Sequence, residues 1–220
     1  MTKILRFIKK ILDTVFGSRA DLWYWKFRHF IDPKWAESYI SNESLAHPHR
    51  KLLVATAEKY TPIHSVFEIG CASGPNLFLL AQKFPDAVFS GIDISPSAVE
   101  KGAVWLTEKN IENISLIVGG FDFLSTLPDK SFDIVLSDAT LLYADPKQVR
   151  IVIQNMIRIA KKAIILVEQH TDGKSFYNSH WVHNYKDIVP DALFTRIPSD
   201  VWGGDWGKYG YIIEIPCIKK

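Results

Sequence analysis

Apolar runs alternate with helical periods along most of the chain, and this alternation sets the expected fold. The runs predict five parallel strands, near residues 65–69, 88–93, 115–118, 132–137 and 163–168. Apolar positions at helical spacing predict crossover helices near residues 76–84, 96–109 and 146–160. Strands that alternate with helices in this way form a parallel sheet that is buried on both faces.

Both ends of the chain add elements to this core. Residues 48–60 have a helical period before the first strand, and residues 182–189 predict a helix after the fifth. Residues 193–197 and 211–216 predict two strands whose separation suits an antiparallel hairpin. The pattern divides the chain into an N-terminal extension, a helical cap, a sheet core and a closing segment, at residues 1–34, 35–62, 63–168 and 169–220.

A glycine turn follows the first strand, in the sequence VFEIGCASG at residues 66–74. The three residues between Gly70 and Gly74 are small and leave the backbone open to a ligand. Glycine also adopts the positive φ angles of a tight strand-to-helix turn. Such a turn before a helix predicts a nucleotide-type cofactor above the first two strands.

An acidic residue, Asp93, ends the second predicted strand, 93 − 74 = 19 residues after Gly74. A carboxylate at this place accepts two hydrogen bonds from a ribose diol. The alternative is that Glu68 and Asp93 only end their strands and cap the helices that follow. The strands on both sides of the turn favour the cofactor interpretation.

Three segments carry a resemblance to the class I S-adenosylmethionine-dependent methyltransferases. FEIGCASG resembles the first motif of that family, GIDIS the second and SFDIVLSDATLLY the fourth. Ala72 departs from the pattern, because the family usually has a glycine there. The resemblance implies an α/β fold with a Rossmann-like seven-stranded sheet, mostly parallel with an antiparallel last strand, helices on both faces and an N-terminal helical extension.

The resemblance also implies that the chain is an enzyme whose cofactor is S-adenosyl-L-methionine. Glu68 would orient the turn or reach the ammonium group of the cofactor, and Asn76 would contact its amino-acid part. Asp122 would accept from the adenine amine, with Phe123 beside the ring. The full set of implied cofactor residues is Glu68, Gly70, Cys71, Ala72, Gly74, Asn76, Asp93, Ile94, Asp122, Phe123 and Asp138.

Methyl transfer requires an aligned acceptor and, for an acceptor of high pKa, a general base. Asp138 is the first catalytic candidate because it follows the fourth strand at the edge where open α/β sheets bind ligands. The alternative for Asp138 is an acid that caps a turn. Tyr143 is the second candidate, since the resembled family often places an aromatic residue or a histidine in this segment. His183 is the candidate base, although an ordinary hydrogen-bonded histidine in a helix fits it equally well.

The acceptor pocket is expected in residues 170–185, which hold several histidines and aromatic residues after the fifth strand. Further candidates for its walls are Trp202, Trp206 and Tyr209. His47 and His49 are interpreted as surface histidines in preference to site residues. The cysteine spacing indicates no metal site.

Composition narrows the class of protein. The 220 residues are 47% hydrophobic, enough for one α/β domain, and residues 35–220 are expected to form it. A net charge of +2 argues against a nucleic-acid-binding protein. No uncharged apolar run approaches the ~20 residues of a membrane span, so the expected location is cytoplasmic.

Positive charge is concentrated at the N-terminus. Residues 1–34 contain eight Lys or Arg and three Asp residues, a local charge of 8 − 3 = +5. Apolar residues fall on one helical face in residues 4–16, and an aromatic cluster follows. This pattern is typical of peripheral contact with an anionic membrane surface, here the inner surface, but a helix that docks on a protein has the same period. Membrane contact and dimerisation through residues 1–30 both stay open.

Two other classes of function compete with methyl transfer. A NAD-dependent oxidoreductase shares the glycine turn and the strand-tip acid, but GCASGP lacks the GxGxxG fingerprint. A non-catalytic scaffold would keep the fold and bind a membrane or a partner through its N-terminal helix. The favoured prediction is methyl transfer to an O or N atom of a small-molecule acceptor, such as a glycan precursor or a lipid headgroup.

Overall fold

The computed structural model describes residues 18–173 and 180–217, and a seven-stranded sheet runs through their centre. Its strands are β1 (Ser65–Ile69), β2 (Val88–Asp93), β3 (Ile114–Val118), β4 (Phe132–Asp138), β5 (Ala160–Gln169), β6 (Leu193–Arg196) and β7 (Gly210–Pro216). Their order across the sheet is β3-β2-β1-β4-β5-β7-β6. Strand β7 pairs antiparallel with both β5 and β6, whereas the other pairs are parallel. The expected sheet, including its antiparallel last strand, is confirmed.

Eight α-helices surround the sheet within the described residues. They are α1 (Ser18–Ile31), α2 (Trp35–Ser38), α3 (Asn42–Leu45), α4 (Pro48–Glu58), α5 (Pro75–Lys83), α6 (Pro96–Glu108), α7 (Pro146–Ile159) and α8 (Gly204–Tyr209). None of them is long and apolar enough to cross a membrane. The helix predicted at residues 182–189 is wrong, because that segment forms one 3-10 turn at Tyr185–Asp187 beside an isolated bridge between His170 and His183. The helix predicted within residues 4–16 lies outside the described residues.

The central strands are buried on both faces, which explains their unbroken apolar sequences. All five residues of β1 are buried. Alternate residues point to opposite sides of a strand, so Val66 packs in one core with α4 and α5, and Phe67 packs in a second core with α7. The sheet therefore holds its carboxyl edge in a fixed position.

The short helices before β1 are attached to the glycine turn. Trp35 and Ala36 of α2 are buried against Ala98 of α6. The Ser73 hydroxyl, within the turn, donates a hydrogen bond of 2.8 Å to the carbonyl oxygen of Ala36. These contacts place the N-terminal segment over the carboxyl ends of β1 and β2.

Gly91 in β2 has no room for a side chain, because a Cβ built there would lie 2.7 Å from Cys71 Cβ and 2.9 Å from Leu77 Cδ1. We expect Gly91→Val to lower the free energy of unfolding by roughly 1–3 kcal/mol through overpacking. Val88 of the same strand is 60% exposed, and Val88→Thr should change this free energy by less than about 0.5 kcal/mol. Urea denaturation followed by tryptophan fluorescence measures both variants. A Gly91→Val protein as stable as the wild type would contradict the packing described here.

Candidate active site

A cavity of about 1050 Å³ opens at the carboxyl ends of β1, β2 and β4. Open α/β sheets bind their ligands at this edge. The N-terminal helices supply the opposite wall through side chains that include Trp25, Trp35 and His49. Seven of the predicted cofactor-binding and catalytic residues line the cavity: Gly70, Ala72, Asp93, Ile94, Asp122, Asp138 and Tyr143.

The glycine turn borders the cavity next to β1. Gly70, Ala72 and Gly74 have φ angles of 71°, 48° and 80°, in the left-handed region that favours glycine. A Cβ built on Gly70 would lie 2.1 Å from the hydroxyl oxygen of Thr140, so the loop after β4 leaves no space for a side chain. Ala72 is the least bulky substitute for glycine at such a position, and its φ costs about 1 kcal/mol.

The Asp93 carboxylate joins the glycine turn to the loop after β2. Its Oδ2 accepts a hydrogen bond of 2.9 Å from the Ala72 N–H, and its Oδ1 accepts one of 2.8 Å from the Ser95 N–H. Burial raises the pKa of Asp93, against the opposing effect of these two hydrogen bonds. Each oxygen retains a further lone pair, so the carboxylate that positions the turn can also accept from hydroxyl groups in the cavity.

Apolar residues line the cavity on the side of β3. Ile94, Val118 and Phe121 contribute there together with Asp122. Phe123, which was expected beside a ring, does not line the cavity and packs instead against the core on the α7 side of the sheet. Phe121, two residues earlier in the same 3-10 helix (Phe121–Thr126), lines the cavity instead.

Behind the cavity wall, polar side chains form a buried network. Asn76 Nδ2 donates to Glu68 Oε1 at 2.7 Å and to Asp138 Oδ2 at 3.0 Å. Arg50 of α4 donates to Asn76 Oδ1, and its guanidinium lies 3.7 Å from Asp138 Oδ2. Asn76 and Glu68 therefore act on the site through Asp138 rather than by lining the cavity.

Asp138 and Glu68 have pKa values shifted in opposite directions. Burial raises the pKa of Glu68 to about 8. Burial also acts to raise the pKa of Asp138, but the hydrogen bond from His49 and the charge of Arg50 prevail and lower it. Near neutral pH Asp138 is therefore ionised while Glu68 holds its proton. Glu68 Oε2 and Asp138 Oδ1 are buried without a hydrogen-bond partner among the described residues.

Cys71 and Gly74, the remaining two cofactor candidates, shape the glycine turn without lining the cavity. Cys71 is 2% exposed, and its side chain packs against Leu77 and other residues of the core beneath the turn. Gly74 is the N-terminal cap of α5. Neither residue lines the cavity, so their role is to shape the backbone that does.

The interpretation of His47 and His49 as surface residues is wrong. Both line the cavity, and His49 is 5% exposed. His49 Nε2 lies 3.1 Å from Asp138 Oδ2. A signal for this burial was present in the sequence, because His49 and Arg50 share a helical face with the buried Leu53 and Ala57.

Aromatic side chains form another part of the cavity wall. Tyr143, a predicted catalytic candidate, contacts Trp25 with ring centroids 5.1 Å apart, and Trp25 contacts Trp35 at 5.6 Å. The Arg28 guanidinium lies over Trp25 and Trp35, 4.7 and 5.0 Å from their ring centroids, within cation–π distance. Trp202 lines the cavity beside His47 and His49, and it was among the expected wall residues.

His183, the expected base, lies outside this cavity. It is 2% exposed, and its Nε2 is 3.2 Å from the carbonyl oxygen of Leu141. Of the segment expected to form the acceptor pocket, residues 174–179 lie outside the described part of the chain, and the cavity-lining residues include none from the rest. The N-terminal helices supply the acceptor-side wall in its place. No cluster of three His, Cys, Asp or Glu side chains that could hold a metal ion occurs in residues 18–173 and 180–217.

The fold and the turn together define a class I methyltransferase fold, and comparison with known families agrees. A family model described as a methyltransferase domain matches residues 63–215. The chain therefore belongs to the methyltransferase-domain family, and the resemblance drawn from the three motifs is confirmed.

Individual relatives match only part of the chain. It is 34% identical over 76 residues to a malonyl-[acyl-carrier protein] O-methyltransferase of Priestia megaterium, which is 34% of this chain and 26% of that protein. It is 33% identical over 97 residues to an aklanonic acid methyltransferase of a Streptomyces species, which is 44% of this chain and 43% of that protein. The chain thus spans less than half the length of these curated relatives.

A solved structure extends the likeness to nearly the whole fold. The magnesium protoporphyrin IX methyltransferase of Synechocystis PCC 6803, crystallised with bound SAH, superposes with a TM-score of 0.65. The superposition covers 90% of this chain and 98% of that one at 17% sequence identity. At this identity the likeness concerns the fold.

The raised pKa of Glu68 predicts a pH-dependent stability. The unfolded state loses this proton above the ordinary value of 4.5, and the folded state keeps it to about 8, so its stabilising contribution falls as pH rises between those values. The slope is at most about 1.4 kcal/mol per pH unit. We expect Glu68→Gln, which cannot ionise, to gain stability relative to the wild type as pH rises through this window.

Urea denaturation at several pH values measures the effect. Glu112→Gln is the matched control, because Glu112 is exposed. A difference between Glu68→Gln and the wild type that is constant with pH would contradict the assignment of a buried, protonated carboxyl.

Proposed function

We propose that the chain transfers a methyl group from S-adenosyl-L-methionine to an oxygen or nitrogen atom of a small molecule. The observation that carries the proposal is one continuous cavity, which joins the turn and Asp93 at one end to Asp138 and the aromatic wall at the other. Ligand sites typically enclose about 300–1,000 Å³. The cavity of about 1050 Å³ is large enough for a nucleoside cofactor together with an acceptor.

The residues present fit the cofactor. Asp93 would accept from the ribose hydroxyls, and Ile94 and Phe121 would contact the adenine, with Asp122 near its amine. The unpartnered Asp138 Oδ1 is a buried acceptor suited to the ammonium group at the other end of the molecule. The family to which the chain belongs supports the same cofactor.

The chemistry supplied by the cofactor is an electrophilic methyl group on a sulfonium. The protein's part is to hold the acceptor in line with that group and to keep water away. The rings of Trp25, Trp35 and Trp202 enclose the acceptor end of the cavity. Asp138, ionised and fixed by its three partners, adds negative charge beside the reacting groups.

Two observations support the class of acceptor: the names of the relatives and the side chains of the cavity wall. The relatives are named for malonyl-[acyl-carrier protein] and for aklanonic acid, and both names support a small or carrier-bound acceptor rather than nucleic acid. Aromatic walls next to the Arg28 and Lys26 cations suit a flat or polar-faced acceptor with negative charge. A glycan precursor or a lipid headgroup stays the specific prediction.

Binding of the demethylated cofactor tests the proposal. Isothermal titration calorimetry with S-adenosylhomocysteine should give a measurable heat, whereas NAD should give none. Asp93→Ala removes charge-assisted hydrogen bonds worth about 1.5–3 kcal/mol each, so we expect affinity to fall at least roughly 10- to 100-fold, the effect of losing one of them.

Asp86→Ala is the matched control, because Asp86 is exposed at the amino end of β2. Unfolding curves for each variant separate lost binding from lost fold. Absence of any heat with S-adenosylhomocysteine would favour the non-catalytic scaffold, and a heat with NAD would favour the oxidoreductase.

We further propose that α1 contacts an anionic membrane surface. Its outward face exposes Trp23 and Phe30, 62% and 76% accessible, with Phe27 stacked between them at centroid distances of 5.2 and 6.3 Å. The surrounding residues 1–34 carry a charge of +5. Exposed aromatic rings within a basic segment are typical of helices that lie in a membrane interface.

Co-sedimentation with vesicles tests this contact. The full chain should bind vesicles of phosphatidylcholine and phosphatidylserine more tightly than phosphatidylcholine alone, and the triple variant Trp23→Ser, Phe27→Ser, Phe30→Ser should lose most of that binding. Ile151→Ser on α7 is the control, since Ile151 is 58% exposed elsewhere on the surface. The outcome that contradicts membrane contact is a wild-type protein that does not bind vesicles but forms a concentration-dependent dimer, with the dimer lost in the triple variant. In that case α1 contacts a second copy of the chain.

A further inference from the structure

A chain of hydrogen bonds leads from Asp138 to an imidazole at the cavity. His49 Nε2 lies 3.1 Å from Asp138 Oδ2, and His49 Nδ1 lies 2.5 Å from His47 Nδ1. The Asp138 and His49 side chains are 7% and 6% exposed. His47 is half-buried and lines the cavity. The most accessible of these three side chains is therefore His47, which lies farthest from the carboxylate.

The carboxylate determines where the protons lie. Because an ionised carboxylate only accepts hydrogen bonds, His49 Nε2 carries a proton. A neutral His49 then has a lone pair at Nδ1, so the proton between the two rings belongs to His47 Nδ1. His47 Nε2 is left with a lone pair, and no hydrogen-bond partner for it occurs among the described residues. A protonated His47 Nδ1 cannot also accept a hydrogen bond from the His49 backbone N–H, which lies 3.4 Å away. The shorter contact between the two rings replaces that hydrogen bond.

The surroundings of His47 favour its neutral form. The Arg50 guanidinium, 3.7 Å from Asp138, already compensates the carboxylate. Burial lowers the pKa of His47, and the Arg50 guanidinium acts in the same direction, against the opposing charge of Asp138. Trp202 packs against both imidazoles, with centroids 4.3 Å from His49 and 5.3 Å from His47. His47 is therefore able to accept a proton near neutral pH.

We propose that His47 Nε2 is the general base for a hydroxyl acceptor, with His49 and Asp138 as positioning residues. This inference rests on the proposed methyl transfer. The acceptor O–H bond breaks and its proton goes to His47 Nε2, the oxygen lone pair forms the bond to the methyl carbon, and the carbon–sulfur bond breaks with its electrons going to sulfur. The acceptor class is an alcohol or phenol, because a carboxylate is already deprotonated and requires no base.

The arrangement follows the logic of a histidine base that a buried carboxylate orients, lengthened by one imidazole. Asp138 stays ionised when His47 takes up the proton, and the positive charge that forms on His47 is stabilised through His49. The hydrogen bond from His47 Nδ1 also keeps Nε2 as the unprotonated nitrogen. His47 Nε2 can thus accept a proton without a second carboxylate next to the hydroxyl group that is methylated.

Nitrogen-15 NMR of the full chain, labelled at histidine and measured near neutral pH with and without S-adenosylhomocysteine, tests the inference. We expect His47 to have a protonated Nδ1 and an unprotonated Nε2, and His49 to have the reverse pattern. His47→Gln and His49→Gln assign the signals, and His64→Gln, at an exposed position, is the control that leaves both unchanged. Asp138→Asn should move the His47 titration to lower pH, because it removes the negative charge that raises the His47 pKa.

A doubly protonated His49 facing an unprotonated His47 Nδ1 would overturn the inference, and so would a His47 with its proton on Nε2. The proton pattern is read from the wild-type spectrum, and correlation of each ring to its own backbone assigns the signals even where a variant fails to fold. Calorimetry with S-adenosylhomocysteine separates the two proposals. If S-adenosylhomocysteine binds but the histidines carry their protons on the other nitrogens, only the role of His47 as a base is overturned. If S-adenosylhomocysteine does not bind, the proposed methyl transfer itself is overturned.

Discussion

A buried positive charge between the helical cap and the sheet is the constraint on which the site depends. Arg50 donates from Nε to the carbonyl oxygen of Ser44 in the cap at 2.9 Å, and it reaches Asn76 and Asp138 on the sheet side. Breaking such a buried pair by removing one partner typically costs about 3–5 kcal/mol. The cap is therefore fixed over the cavity by charge pairing as well as by apolar packing. Together with His49, Arg50 also outweighs burial and lowers the pKa of Asp138.

The sheet and its glycine turn were predictable because they depend on short-range signals. The core strands are apolar runs, and the crossover helices α6 and α7 begin after residues whose side chains cap them, Ser95 and Asp145. The positive φ angle at Gly70 and the acid at Asp93 follow from the requirements of the turn itself. The place of Asp138 at the cavity follows from its position at the carboxyl end of β4.

The acceptor-side wall was not predictable, because it depends on contacts between distant segments. His49 and Asp138 are 89 residues apart in sequence, and nothing local to either one indicates the other. His183 was favoured as a base because histidine titrates near neutral pH, yet its partner is the carbonyl oxygen of Leu141 and it lies outside the cavity. Phe121 and Phe123 differ by two residues, and only the 3-10 geometry decides which ring lines the cavity.

Helix α1 connects the surface of the molecule to the interior of the cavity. One face exposes Trp23 and Phe30, while Trp25 and Arg28 line the cavity from the other. The Arg28 guanidinium lies against aromatic rings and 4.0 Å from Asp32, and Arg28 also lines the cavity. Both faces belong to one helix, so a contact that fixed the outer face would also fix this part of the cavity wall. The proposed surface contact and the shape of the cavity therefore depend on the same element.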